Sequence, residues 1–196
     1  MTCLGIIGTA GRNEDAAKLT PIVLARMGAV AQTAAITLGA TKLVSGGSAY
    51  ADHLAVHLFL RGQVKGLLLH LPAPFTGGFY HETHRAGRVC NHYHFLFKEK
   101  TGRDSLDDIV EALNRGAEVT IEDGPIESYS SMFARNAKVA ASADILLAFT
   151  FGEPNSPALK RGGSSDTMAT FLRRRKTRPD LKAFHYNLTD STLYTL

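Results

Sequence analysis

The chain has 196 residues, 44% of them hydrophobic, and a formal net charge of +4. That length and apolar content fit one domain spanning 1–196, with a sizeable core and room for an insertion. The basic bias is too mild and too dispersed for a dedicated nucleic-acid surface, which shows a concentrated stripe of Lys and Arg, and it suits a small anionic ligand.

The N-terminal "CLGIIG" is a short apolar run ending in glycine, which predicts a strand buried on both faces. "TAGRNED" reads as a loop, and a long helix is expected over about Ala16 to Leu38, with Pro21 near its first turn. The apolar run from Pro21 to Ala40 is interrupted by Arg26 and Gln32, which predicts a packed helix and not a membrane span. "KLVSGG" is a second strand, closed by a diglycine. "AYADHLAVHLFLRG" has the helical spacing Leu54, Ala55, Leu58, Phe59 and stops at Gly62. "VKGLLLHL" is a third strand. "DSLDDIVEALNRG" is a helix capped by Asp104 or Ser105, and "EVTIED" a short strand. "SSMFARNAKVAASA" predicts a helix, "DILLAFTF" a strand, "SSDTMATFLRRRK" a helix and "LKAFHYNL" a last strand. Strands alternating with helices at this spacing predict an α/β fold, a three-layer sandwich around a mainly parallel sheet.

The stretch from about 71 to 103 breaks the rhythm and is too long for an ordinary connection. Its "YHETHRAGRVCNHYHF" holds His81, His84, Cys90, His92 and His94. The spacing fits no zinc motif, so no metal site is expected. The segment reads as a His-rich insertion lying over the ligand end of the sheet, with Arg85 and Arg88 for phosphate and Tyr80, Tyr93 and Phe95 for stacking.

In an open α/β sheet a ligand lies beyond the carboxyl ends of the strands. Three glycine-rich loops follow predicted strands here. "GTAGR" offers Gly8, Thr9, Gly11 and Arg12. "SGGSAYAD" offers Ser45, Gly46, Gly47 and Asp52, with the amides of a diglycine ahead of a helix. "RGGSSDT" repeats that design with Gly162, Gly163, Ser164, Ser165 and Thr167. Arg135 and Asn136, early in the predicted helix "SSMFARNAKVAASA", are polar where an apolar stripe alone does not require them. No G-K-[ST] phosphate loop and no full G-x-G-x-x-G is present, which argues against an ordinary ATPase or NAD dehydrogenase, and no cofactor is expected.

These motifs resemble the SLOG superfamily. "LVSGGSAYADHLAV" is similar to its "hGGArGADrlA" signature. "FARNAKVAASADILLAF" is similar to the "iRNqemvdaaDlvlaF" stretch of the YspA-like branch, and "GGSSDTMATFLRRR" to its "GGTaDmvrrAr". Their order after "GIIGTAGR" is also that of the branch, and together they cover most of the chain outside residues 71 to 126. The resemblance implies a Rossmann-like fold and a nucleotide or nucleotide-derived ligand, with Arg135 on a phosphate and Asn136 on a ribose hydroxyl or base edge. Tyr50 stands where the family has a small glycine, which adds a stacking surface.

Three functions follow as expectations. The first is a protein that senses or sequesters a nucleotide. The second is an enzyme of the N-glycosidase or phosphoribohydrolase type, as in the related Lonely Guy enzymes. That chemistry needs a carboxylate at the sugar. "GGSSDTMATF" lacks the glutamate those enzymes carry, so Glu82, Glu153 or Asp52 must serve, with Glu127 and Asp166 as further candidates. The third is DNA association, as in DNA-processing protein A. It ranks last because "RRRKTR", Arg173 to Arg178, sits at a helix end, where cations complement the dipole. Cys3 and Cys90 make no disulfide framework and "MTCLGIIG" has no basic leader, so a cytoplasmic protein is expected. The apolar helix over 16–38 suits a homo-oligomer.

Overall fold

The computed structural model describes residues 2–122 and 124–196. In chain order the elements are β1 (Cys3–Gly8), α1 (Asp15–Lys18), α2 (Pro21–Thr37), β2 (Lys42–Ser45), α3 (His53–Leu60) and β3 (Gly66–Leu71). A hairpin of β4 (Phe75–Thr76) and β5 (Phe79–Tyr80) leads into α4 (Arg85–Thr101) and α5 (Ser105–Asn114). Then come β6 (Glu118–Ile121), α6 (Ser130–Ser142), β7 (Ile145–Thr150), α7 (Gly163–Arg174), β8 (Lys182–Asn187) and β9 (Thr192–Thr195).

Among the described residues, seven strands form one sheet in the order β6-β3-β2-β1-β7-β8-β9, parallel except for the antiparallel pairing of β9 with β8. Every residue of β7, "ILLAFT", is buried. A strand covered on both faces has no polar side to show, so its sequence runs apolar without alternation. The strands still divide their side chains between two cores. Leu4, Ile6, Leu147 and Phe149 meet the layer containing α2 to α5, whereas Ile7, Leu146 and Ala148 meet α6 and α7. The architecture is the expected α/β three-layer sandwich, Rossmann-like, with a mainly parallel sheet. No helix among the described residues is long and apolar enough to cross a membrane.

Four local expectations are corrected. "LKAFHYNL" gives β8 but is not the last strand, since β9 follows and pairs antiparallel to it. The helix expected over 16–38 is broken: α1 ends at Lys18, and α2 starts afresh at Pro21, where the Thr20 hydroxyl accepts the Val23 amide as a cap. Proline is suited to this first helical position because its missing N–H has no partner there. The 71–103 segment, expected as a His-rich insertion over the ligand end of the sheet, is a short hairpin followed by a helix. Most of it is α4, which buries Ala86, Cys90, His94 and Phe97, a helical spacing in which a histidine counts as core. The strand expected at "EVTIED" ends at Ile121, and Asp123 lies outside the described residues.

The topology fixes where a crevice forms. β1 is the middle strand; the chain builds outward from it through β2 and β3 to β6, then returns to β7 and builds the other side. Connections leaving β1 and β7 run to opposite faces, and the gap between them at the carboxyl edge is where open α/β sheets bind ligands.

Candidate functional site

A cleft of about 610 Å³ opens at that edge. Its floor is Ile7, Gly8 and Thr9 from the end of β1, with Thr150 from the end of β7. One wall is the first turn of α7, another the N-terminal half of the neighbouring α6, and the β2–α3 loop contributes Gly46, Ser48 and Asp52.

The β2–α3 loop is largely satisfied from within: the backbone of Gly46 and Ser48 bonds the Asp52 carboxylate. Asp52, 7% exposed, turns its carboxylate back into its own loop. Burial pushes its pKa up to about 6, opposed by Arg135 and by hydrogen bonds from the backbone of Ser48, Gly46 and Gly8. Arg135 Nη1 donates to the Gly46 carbonyl at 2.7 Å and lies 3.3 Å from both Ser48 Oγ and Asp52 Oδ2. The guanidinium fills the space a side chain at 46 would need: a Cβ there would meet Arg135 Nη1 at 2.0 Å.

The neighbouring Gly47 carbonyl is held from the other side. Tyr80 Oη donates to it at 2.7 Å, and His94 Nε2 lies 3.0 Å away. Burial drives the His94 pKa down to about 3, so the ring is neutral. A carbonyl can only accept, so Nε2 carries the proton, leaving Nδ1 to accept from the Ser105 hydroxyl at 2.8 Å. Gly47 has φ +67°, and a Cβ there would stand 2.4 Å from Leu71 Cδ2. The buried polar groups of α4 and the hairpin thus serve this loop, and among the described residues no group of three or more His, Cys, Asp or Glu is placed to hold a metal ion.

The β7–α7 loop has the opposite character. His185 bridges Thr150 Oγ1 at 2.9 Å and the Pro157 carbonyl at 3.0 Å, and Asn187 Nδ2 donates to the carbonyls of Glu153 and Ser156. The loop is therefore pinned to β8, and α7 begins at a fixed place. Within its first turn, Ser165 Oγ bonds the Gly162 amide and carbonyl, and Ser164 Oγ donates to the Gly8 carbonyl at 2.8 Å. The amides of Gly163, Ser164 and Ser165 take no partner among the described residues. They are the positive end of a 12-residue helix beside the cleft.

Charge is distributed unevenly around the cleft. Lys160 Nζ is paired with Asp15 at 2.7 Å and Glu14 at 2.5 Å, and Thr9 Oγ1 donates to Asp15 at 2.9 Å. Arg135 is paired with Asp52. Arg161 and Arg12 carry no carboxylate partner among the described residues; the Arg12 guanidinium lies 5.4 Å from the Tyr93 ring centre. The apolar share of the lining comes from Met132 and Val139 with two aromatic rings, Phe133 at 60% exposure and Tyr129 at 37%.

The expected site residues separate accordingly. Gly8, Thr9, Arg12, Gly46, Asp52, Arg135, Asn136, Gly162, Gly163, Ser164 and Thr167 line the cleft. Ser45 is fully buried and donates to the Asp52 carbonyl, Gly11 packs against the Tyr50 ring, Gly47 faces α4, and Ser165 closes its own helix turn. Tyr50 adds no stacking surface: it is 2% exposed and meets Phe97 edge to face at 5.1 Å.

Glu82 and Glu153 do not reach the cleft. Glu82 is exposed in the turn between β5 and α4, beside Asn91, and Glu153 is exposed on the loop tied to Asn187. Glu127 is also outside, paired with Arg88. Asp52, Asp15 and Asp166 are the carboxylates in the lining. The basic run is at the far end of α7, where Arg174 donates to the Ala140 and Ala143 carbonyls, Arg175 to the Leu196 carbonyl, and Arg178 pairs with Asp180. Sequence reasoning missed Asp15, Lys160, Tyr129 and Phe133. Tyr129, the residue before α6, and Phe133 within it stand four apart ahead of Arg135, and that spacing was the available signal.

No protein-family model matches the chain. It is 40% identical over 126 residues to "Uncharacterized protein R261" of Acanthamoeba polyphaga mimivirus, a match covering 64% of this chain and 62% of that protein. The chain thus spans less than two thirds of the length of that relative, and the likeness brings no activity with it.

Proposed function

We propose that the protein binds a nucleotide or nucleotide-derived small molecule in this cleft, as a sensor or sequestering protein. The observation that carries the reading is a pairing of opposites across one space. Three unpartnered amides at the start of α7, with Arg161 next to them, suit a phosphate group, and the exposed ring of Phe133 on α6 suits a base. The resemblance of the glycine-loop and Arg-Asn motifs to the SLOG superfamily supports the same ligand class. In this reading Arg135 acts mainly by holding the β2–α3 loop, and Asn136, whose Nδ2 lies 3.5 Å from the Gly163 carbonyl, is available to a sugar hydroxyl.

A second reading, N-glycoside cleavage, is favoured by one feature: Asp52 is a cleft carboxyl with its pKa raised to about 6, within the range useful to a general acid. It is also engaged by Arg135 and loop amides, which is why binding without turnover is preferred. Incubating the pure protein with a panel of nucleotides, NAD and ADP-ribose, then reading mass spectra of the solution and of the denatured protein, separates the two. Intact nucleotide retained with no product is the expected result. Free base in solution would transfer the assignment to the enzyme, and Asp52→Asn would then abolish release. Neither binding nor cleavage would remove the small-nucleotide reading and raise DNA association.

A further inference from the structure

The histidine-rich stretch ends in a helix that breaks a local rule. α4 opens with Arg85 and carries Arg88 one turn in, with no acid in its first turn. The N-terminal end of a helix is positive, so cations there are locally unfavourable. A local rule broken without local compensation points to a tertiary role.

That role is visible in what the two arginines touch. Residues 124–129 cross from the end of β6 to the start of α6 over the N-terminus of α4. The Arg85 amide donates to the Ile126 carbonyl at 2.7 Å. Arg88 Nη2 takes both oxygens of Glu127, at 3.1 and 2.9 Å. The Arg85 guanidinium lies 4.3 Å from the centre of the Tyr129 ring. Tyr129 is the residue before α6, and its side chain makes no cap hydrogen bond to that helix. The grip of α4 on the strap therefore sets one aromatic wall of the cleft while neither arginine lines it.

We propose that Arg85 and Arg88 are positioning residues that fix Tyr129 as part of a platform for the flat ring of the ligand. Arg85 stacks on the Tyr129 ring from outside the cleft, and Tyr129 itself lines it. The inference rests on the nucleotide reading above and extends it: affinity for the base, and not for the phosphate, depends on residues of the 71–103 segment.

The test compares two probes by calorimetry, adenosine 5′-monophosphate and ribose 5-phosphate, which share the sugar phosphate and differ in the base. Arg85→Ala and Arg88→Ala are expected to weaken the nucleotide by about tenfold and to leave ribose 5-phosphate within about twofold. Arg85→Ala placed on Tyr129→Ala is expected to add no further loss, because Arg85 acts through that ring. All three residues are at least partly exposed, so the core is untouched by their removal. Equal losses on both probes, no loss on the nucleotide, or an additive double variant would overturn the proposal. A wild-type protein that binds both probes equally would overturn the platform and leave the phosphate site; one that binds neither would overturn the nucleotide reading itself.

Discussion

The two diglycine loops, 46–47 after β2 and 162–163 before α7, look alike in sequence and differ in use. In the first, the protein supplies its own anion. The Asp52 carboxylate takes the backbone of Gly46 and Ser48, Arg135 takes the Gly46 carbonyl, and Tyr80 and His94 take that of Gly47. In the second, the side chains of Ser164 and Ser165 are spent on carbonyls and on Gly162, and the amides of Gly163 and Ser164, which line the cleft, take no partner among the described residues. A glycine-rich turn beside a helix is therefore not a ligand site by virtue of its composition. What decides is whether the surrounding fold has already satisfied its polar groups.

The contrast breaks most sharply at Arg135. Its side chain and that of Asp52 are each 9% exposed, and removing one member of a buried pair leaves the other uncompensated. Arg135→Ala is expected to lower unfolding stability by about 3–5 kcal/mol in urea or guanidinium titrations at pH 8. The loss is expected to be smaller at pH 5, where a carboxyl with a raised pKa is increasingly neutral. A loss below about 1 kcal/mol at pH 8 would mean that the loop holds itself without the arginine.

The pH dependence of the same loop is the next effect. Asp52 has a folded pKa of about 6, above its unfolded value, so the unfolded chain gives up this proton first. Its favourable contribution is complete below the unfolded carboxyl pKa and is lost as pH rises through about 6. The stability of the wild-type protein relative to Asp52→Asn should therefore fall between pH 4 and pH 6 and then level off. A relative stability that rises over that window would mean that the arginine and amides outweigh burial.

The smallest effects sharpen the comparison glycine by glycine. Gly47→Ala must hold φ +67° and push Leu71 and Tyr80 aside, at an expected cost of about 1–3 kcal/mol in thermal or chemical melts. At Gly163 a Cβ meets only Asn136 Nδ2, at 3.2 Å, so Gly163→Ala should change stability by no more than about 0.5 kcal/mol. Equal costs at the two positions would erase the distinction between a filled loop and an open one.

Much of the fold is written locally. β1, β3 and β7 announce themselves as uniform apolar runs because both faces of the sheet are covered, and α5 by Asp104, whose side chain accepts the amides of Leu106 and Asp107. The break before α2 was also there to be read, as a Thr-Pro cap. What local sequence could not convey were contacts made across the chain. His94 is core because Gly47, 47 residues away, needs a donor, and a polar residue in a core position hides the helical period of Ala86, Cys90 and Phe97. The same limit governs the site. Glycine-rich loops locate the cleft, since their place after strands is a matter of topology. Which carboxylate enters is set by how each loop is tied down: Asn91 holds the Glu82 carboxylate and Asn187 the Glu153 backbone, contacts that no spacing reveals.

The central claim is that the open first turn of α7 receives the phosphate of a nucleotide. Gly163→Asp tests it directly, because an acid in the first turn of a helix favours the helix while its charge occupies the anion position. Titration calorimetry with adenosine 5′-monophosphate should show saturable binding to the wild-type protein and at least a tenfold loss in Gly163→Asp, with the melting temperature unchanged or raised. Equal binding to both proteins, or none to the wild type, would contradict the account.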